Sequence, residues 1–349
     1  MHELPRRTLR GLNTEVSALG AGCWTIGGSA TNDGVPIGWD GVNPEAAYAG
    51  LVRAHDLGIS LFDTADVYGL GCSERLLGRL LASLDRQAVV VSSKVGYFAG
   101  TARHPYEPAH MRHQFATTLD NLGTDYLDIY HLHSSDFGPG DQYLPGAVEV
   151  VRDLRTRGLI RAVGMRAPHT FAEHWATGQD HRAKRTARFL HLFDAIHPDV
   201  VVARYHLLSP LYDADETDIF AFARARGAGV IVKQALGQGL FLKPAQWAPT
   251  FSPGDHRSRD PEFTGTALHA IRQRLAPLRD RFGGCPAGLA RAALRYVLQT
   301  APEAPVLVGF RNADQIHATV TSLGDPLTDN ELTDIRSLLH PNIRKEPVI

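Results

Sequence analysis

The chain has 349 residues, of which 44% are hydrophobic and 21% charged, and its formal net charge is −1. That length buries a sizeable core, and that composition excludes a disordered chain. Near-zero charge without a lysine- and arginine-rich block excludes nucleic acid or an anionic membrane as the main partner.

In chain order, the segment RRTLRGLNTEV (6–16) reads as a hairpin capping the bottom of a larger sheet, with its turn in RGLNTEV. Short β-branched runs follow at 16–23, 59–65, 88–95, 126–133, 160–166, 200–206, 229–234 and 305–310. They are near-continuously apolar, as strands buried on both faces are. Amphipathic segments lie between them. Ser73 and Glu74 open one helix, with Leu76, Leu77, Leu80 and Leu81 as its buried stripe. Over 145–157, Val148, Val151 and Leu154 repeat at helical spacing and Gly158 supplies the stop.

Eight strands, each followed by a helix or helical insertion, make a (β/α)8 TIM barrel with an N-terminal β-hairpin cap. An open doubly wound sheet also alternates, but GCWTIGG lacks the GxGxxG spacing of its first turn. No Pro/Ser linker divides the chain, so 1–349 reads as one domain. The irregular stretches 24–44, 166–199 and 237–263 each follow a strand. In a barrel all three stand over the C-terminal face, where active sites lie. Arg182, Lys184, Arg185 and Arg188 fall in the second of them and read as a solvated helix face.

Three cysteines, Cys23, Cys72 and Cys285, lack CxxC spacing and read as reduced thiols. The amino terminus has no apolar signal core, and no run reaches the ~20 apolar residues of a membrane span. The expectation is a soluble cytoplasmic protein, with homo-oligomerisation left open.

Four residues carry the chemistry. Asp63, Lys94 and His133 end the second, third and fourth runs, and Tyr68 follows the second by a few residues. Strand C-termini of a parallel barrel converge on one mouth. A phenol with a reference pKa of about 10 is a slow acid at neutral pH. A nearby ammonium stabilises the phenolate and lowers that value, and a carboxylate holds the ammonium in place. A histidine orients the substrate oxygen or shares the proton. Such a site gives a proton to a carbonyl oxygen while a hydride reaches carbon. Singly each residue has a plainer reading: Asp63 in a turn, Lys94 at a solvated strand end, His133 in the core.

The motifs around these residues resemble those of the aldo-keto reductases. DTADVYGLGCSERLLGRLL (63–81) is similar to the family's long signature, VVSSKVG (90–96) to its lysine strand and GTDYLDIYHLH (123–133) to its histidine strand. PAGLARAALRYVL (286–298) and VLVGFRNADQ (306–315) are similar to its last helix and last strand. The resemblance covers nearly the whole chain. It implies a barrel without a Rossmann domain, binding NADPH/NADP+ extended across the mouth and reducing a small-molecule carbonyl compound. It implies Tyr68 as general acid, Lys94 and Asp63 as its tuning pair, and His133 as orienting group.

The chain departs from that pattern at the nicotinamide end. Arg166 and Ala167 stand where the family usually has Ser and Asn, and Val202 where it has Gln. Lys233 stands where an aromatic residue or arginine is common. A neutral hydrogen bond is worth roughly 0.5–1.5 kcal/mol, so three lost contacts weaken that end on the order of 100-fold unless replaced. In one reading Arg166 supplies the replacement donors. In another the mouth serves a non-redox reaction or cofactor sensing, as in the related potassium-channel β subunits.

Gln234, Leu236 and Gln238 align with pyrophosphate-binding positions, and Arg311 and Gln315 with the adenosine-phosphate loop. Thr319 replaces a frequent asparagine at the adenine. Arg257 and Arg259 either fold over the pyrophosphate or lie in a solvated loop. His131 and His133 share a face. With Asp63, Glu74 or His206 they make a candidate N/O metal site, as in a metal-dependent barrel isomerase or hydrolase. The plainer reading of His131 is a buried, hydrogen-bonded core residue, and His206 is a candidate pocket residue. No bound metal is expected. Trp24, Trp39, Tyr97, Phe98 and Trp247 lie in strand-end loops, which suits an apolar or ring-bearing substrate; packing beneath the loops is the alternative.

Overall fold

The hairpin forms as the sequence indicates: β1 (Arg6–Leu9) pairs antiparallel with β2 (Thr14–Ser17). Its turn places Gly11 at φ +82, where a Cβ would lie 1.9 Å from the carbonyl oxygen of Asp199, so only glycine fits. The computed structural model describes residues 4–213, 216–244 and 246–340.

After the hairpin come β3 (Leu19–Gly22), a two-stranded ribbon of β4 (Thr31–Asn32) and β5 (Val35–Pro36), α1 (Pro44–Asp56), β6 (Leu61–Asp63) and α2 (Cys72–Leu81). Next are β7 (Val90–Val95), α3 (Pro108–Leu122), β8 (Leu127–Leu132), α4 (Leu144–Thr156), β9 (Ile160–Arg166) and α5 (His181–Ile196). The chain continues through β10 (Val200–Arg204), α6 (Ile219–Ala225), β11 (Gly229–Lys233), α7 (Gly265–Phe282), α8 (Pro286–Thr300), β12 (Val306–Gly309), α9 (Ala313–Thr321) and α10 (Asp329–Leu339).

Strands β3, β6, β7, β8, β9, β10, β11 and β12 close in that order into a parallel barrel. This is the expected (β/α)8 architecture. Leu9, Leu12 and Val16 of the hairpin pack against Leu61, Val90, Ile129, Val200, Ile231 and Leu307 at the lower ends of the strands. Each such buried side chain is worth roughly 1.5–3 kcal/mol, so the hairpin seals the barrel bottom. Chemistry is thereby confined to the opposite end. No helix among the described residues is long and apolar enough to cross a membrane.

Three local expectations need correction. The run 16–23 is two elements, because residues 16 and 17 complete the hairpin; the Ser17 hydroxyl donates to the Leu19 carbonyl at 2.6 Å, across the junction. Ser73 and Glu74 lie inside α2 rather than opening it, since Gly71, left-handed at φ +85, is the cap. The Ser73 hydroxyl instead donates to the Cys23 carbonyl at 2.8 Å and bonds the Thr64 hydroxyl at 2.9 Å. Buried Glu74 accepts from Ser93 at 2.8 Å, Thr118 at 2.9 Å and Asn121 at 3.0 Å. These bonds tie α2 to β7 and α3 beneath the candidate site. The stretch 166–199 is not irregular throughout, because Asp180 caps α5 through the backbone N–H groups of Arg182 and Ala183. The cationic run of α5 is the solvated face expected, with Arg182, Lys184 and Arg185 exposed, and it is partly paired: Arg182 to Asp180, and Arg188 to Asp141.

Candidate active site

Register brings the four residues together. Asp63 ends β6 opposite Ser92, and Lys94 lies opposite His131 one residue before the end of β7. His133 follows β8 directly, and its N–H donates to the Val95 carbonyl at 2.8 Å. Tyr68 lies in the loop before α2. The Lys94 ammonium donates to Asp63 Oδ1 at 2.6 Å and to the Thr64 carbonyl. Ser92 donates to the other carboxylate oxygen at 2.8 Å, so Asp63 is fixed from two sides. Nζ of Lys94 is 4.9 Å from the centre of the Tyr68 ring. Trp24 stacks on that ring with centroids 6.0 Å apart, and His133 meets it edge-on at 6.0 Å.

The electrostatics differ in one respect from the sequence expectation. Burial raises the Tyr68 pKa more than Lys94 lowers it, and the phenol is pushed up to about 12. It therefore keeps its proton at neutral pH. For Lys94, burial works against the charge, but Asp63 and Tyr68 outweigh it and hold its pKa above the ordinary lysine value. Burial, reinforced by Lys94 and Lys233, pushes His133 well below the usual histidine range, so its imidazole is neutral. The arrangement is a protonated phenol beside a fixed ammonium and a neutral imidazole.

A single cavity of about 1240 Å³ runs from this group across the mouth. Tyr68, Lys94 and His133 line one end, followed by Arg166, Val202, Lys233, Gln234, Leu236 and Gln238. Arg311, Gln315 and Thr319 line the far end. There the Arg311 guanidinium donates to the Asp40 carbonyl at 3.3 Å, and its backbone N–H donates to Gln315 Oε1 at 2.9 Å. Gln234 and Gln238 adopt left-handed backbone at φ +60 and +54, a strain that clusters at ligand clamps. Gln238 donates to Asp260 at 2.9 Å and pairs with His256.

Other expected residues lie elsewhere. Trp24, Trp39 and Tyr97 line the cavity, but Trp247 does not; its ring packs against Phe251 at 6.1 Å, outside the mouth. Phe98 turns toward His110, away from the cavity. Arg257 reaches the cavity, yet its guanidinium is held by Asp255 at 2.7 Å, while Arg259 is exposed. His206 lies outside the lining, where its Nε2 accepts from Arg204 at 3.0 Å. Ala167 is buried and also outside it.

His131 is buried and lines the cavity, but neither ring nitrogen has a partner among the described residues, so it is not the hydrogen-bonded core histidine expected. Its ring fills the space over Gly164, where a Cβ would come within 1.9 Å of Nδ1. Among the described residues no three His, Cys, Asp or Glu side chains are grouped to hold a metal. Asp63 is committed to Lys94 and Glu74 to hydroxyls.

Sequence reasoning missed His169, Arg204 and Glu262. Arg204 ends β10, donates to His206, lies 3.4 Å from His169 Nδ1 and is salt-bridged to Glu262. All three line the cavity. The signal for Arg204 was present: a charged residue closing an apolar run, the same sign that marked Asp63 and Lys94.

The cavity suits a nicotinamide dinucleotide. Gln234 Oε1, Trp39 Nε1 and His133 Nδ1 are buried polar atoms at its edge without partners among the described residues, and buried polar atoms are normally satisfied. Lining cations are Lys94, Arg166, Arg204, Lys233, Lys243, Arg257 and Arg311, against the carboxylates Asp63, Asp260 and Glu262. That excess matches a polyanionic ligand.

Residues 18–340 match the family model described as the aldo/keto reductase family. The chain belongs to that family. It is therefore an oxidoreductase of a family that uses nicotinamide cofactors and acts on small carbonyl compounds. Among curated relatives, the NADH-specific methylglyoxal reductase of Escherichia coli is 26% identical, over 93% of this chain and 94% of its own length. The L-galactose dehydrogenase of Arabidopsis thaliana is 25% identical over 98% and 96%. Among solved structures, the glycerol dehydrogenase of Gluconobacter oxydans superposes with a TM-score of 0.69 at 24% identity, covering 99% of this chain and 98% of that one. That likeness supports the fold.

Proposed function

We propose that this protein reduces an aldehyde or ketone to an alcohol with NADPH, and that Tyr68 donates the proton. The observation that carries this reading is the Lys94–Asp63 pair, closed at 2.6 Å beneath a phenol that keeps its proton at neutral pH. When bound, the reduced nicotinamide supplies a hydride, which becomes the new C–H bond at the carbonyl carbon.

This chain acts on the oxygen. Neutral His133 hydrogen-bonds the carbonyl oxygen and sets its direction toward Tyr68. As negative charge develops there, the phenol O–H bond breaks and a new O–H bond forms on the substrate. The Lys94 ammonium stabilises the phenolate left behind, and Asp63 holds that ammonium in place. The phenolate then regains a proton from solvent. Trp24 and Tyr97 flank the site and exclude water.

Gln234, Leu236 and Gln238 hold the cofactor's middle, and Arg311 and Gln315 its adenosine end. Arg311 favours NADPH over NADH, because a guanidinium pairs with a 2′-phosphate. The Escherichia coli relative, described as NADH-specific, makes that preference the point to measure. Arg166 and Lys233 stand at the reacting end. The protein acts as one barrel domain in a reducing cytoplasm.

Titration with NADPH and NADH, followed by fluorescence and thermal shift, tests the reading. Stabilisation at sub-millimolar NADPH is expected. Absence of stabilisation by either nucleotide overturns it. Binding without turnover of any carbonyl compound favours cofactor sensing instead.

A further inference from the structure

Three successive barrel strands end in cations on the side of the mouth away from Asp63. Arg166 ends β9, Arg204 ends β10 and Lys233 ends β11, with Arg204 and Lys233 in register. The nearby carboxylates are already committed. Glu262 holds Arg204, Asp260 accepts from Gln238 at 2.9 Å, and Asp63 belongs to Lys94. Among the described residues Arg166 donates only to neutral groups, the Tyr97 hydroxyl at 2.6 Å and His169 Nε2 at 2.9 Å. Burial, together with Arg166 and Lys94, pushes the Lys233 pKa well below the ordinary lysine value and outweighs the opposing pull of Asp63, and among the described residues its ammonium makes no hydrogen bond.

A shielded cation without a counter-charge is costly, and two facing one cavity repel each other. The nicotinamide ring does not offset them, because it is neutral when reduced and positive when oxidised. Arg166 is also close to the reacting end. It bonds Tyr97, whose ring centroid is 4.7 Å from that of His133. A charge that meets Arg166 and Lys233 therefore arrives beside the carbonyl oxygen.

We propose that Arg166 and Lys233 form an anion subsite for the substrate, so that the preferred carbonyl compound carries a carboxylate or phosphate close to the reacting carbon. The reaction assigned to this compound rests on the reductase reading above; the anion subsite itself does not. Carboxylate and phosphate share the chemistry of an oxyanion meeting a guanidinium fork and an ammonium.

Two matched pairs test this: succinic semialdehyde against butanal, and glyceraldehyde 3-phosphate against glyceraldehyde. Each is run with wild type, Arg166→Gln, Arg166→Lys and Lys233→Met. The charged member of at least one pair is expected to have the higher kcat/KM by about 10- to 100-fold. The pair that shows the preference identifies carboxylate or phosphate. Arg166→Gln and Lys233→Met reduce that ratio, and Arg166→Lys restores part of it. Independently of turnover, calorimetry with inert succinate and inorganic phosphate on the cofactor-free protein is expected to show binding that Arg166→Gln weakens.

Equal kcat/KM within both pairs overturns the proposal while leaving the reductase reading intact. So does a loss confined to NADPH affinity, which would assign the two cations to the cofactor. If no carbonyl compound is reduced but succinate or phosphate binding depends on Arg166, the subsite stands and the reductase reading falls. If neither anion binds and nothing is reduced, both fall.

Discussion

Lys94 and Lys233 both lie at or near the end of a barrel strand and face the same cavity, yet the fold treats them differently. Lys94 is buried against Asp63 and the Thr64 carbonyl, and its pKa is held up. Lys233 is half-buried beside Arg166 and Lys94, and its pKa is pushed down. One lysine is kept charged by the protein itself, so its charge is available throughout a proton transfer. The other has no ion pair among the described residues, and the pull of Asp63 on it is outweighed by burial, Arg166 and Lys94. In charge, the β6–β7 side is thus completed within the fold by Asp63 and Lys94, whereas on the β9–β11 side Arg204 is paired with Glu262 but Arg166 and Lys233 have no ion pair among the described residues.

Five measurements sharpen or break this contrast. Tyr68→Phe removes the proton donor from the completed side. It is expected to lower kcat for carbonyl reduction by roughly 10²–10⁴-fold while cofactor affinity is kept. Retained turnover would remove Tyr68 from the acid role. Lys94→Met strands Asp63 without its cation, at a cost of about 3–5 kcal/mol in denaturant unfolding. A loss below 1 kcal/mol, by the same measure, would mean that the pair is not a structural unit.

Arg311→Ala is expected to weaken NADPH by about 10- to 100-fold and NADH much less, since a charge-assisted pair is lost. An equal loss for both cofactors would place Arg311 away from the 2′-phosphate. The pH profile follows from the raised phenol. The acid form exists below its pKa of about 12, so reduction does not lose its donor between about pH 6 and 9. Alcohol oxidation needs the phenolate, whose fraction rises about tenfold per pH unit below that pKa. A fall in reduction with a midpoint near neutrality would point to a different acid.

The smallest effect is Lys233→Met. It removes a cation that has no ion pair among the described residues, so the cofactor-free protein is expected to keep its stability or gain up to about 1 kcal/mol. A destabilisation as large as that of Lys94→Met would show that Lys233 has a structural partner.

The barrel and its charged strand ends were legible because both depend on local pattern. Apolar runs of β-branched residues mark strands buried on both faces, and a charged residue closing such a run marks the mouth. Asp63 and Lys94 were found this way, and Arg204 carried the same sign unread. Trp247 was misplaced because a loop aromatic packs within its loop or faces a cavity according to how that loop folds, here onto Phe251 and Lys243 four residues to either side. Ser73 was misread as a cap because its hydroxyl found partners in Cys23 and Thr64.

By itself, the sequence determined the order of strands and helices and the types of charged groups facing the mouth, since periodicity and strand-end position are local properties. Only the tertiary structure decided which charges are matched. Asp63 reaches Lys94 across neighbouring strands, and Glu262 reaches Arg204 from a loop 58 residues away. It also decided that burial outweighs the ammonium at Tyr68, because desolvation depends on everything that surrounds the phenol.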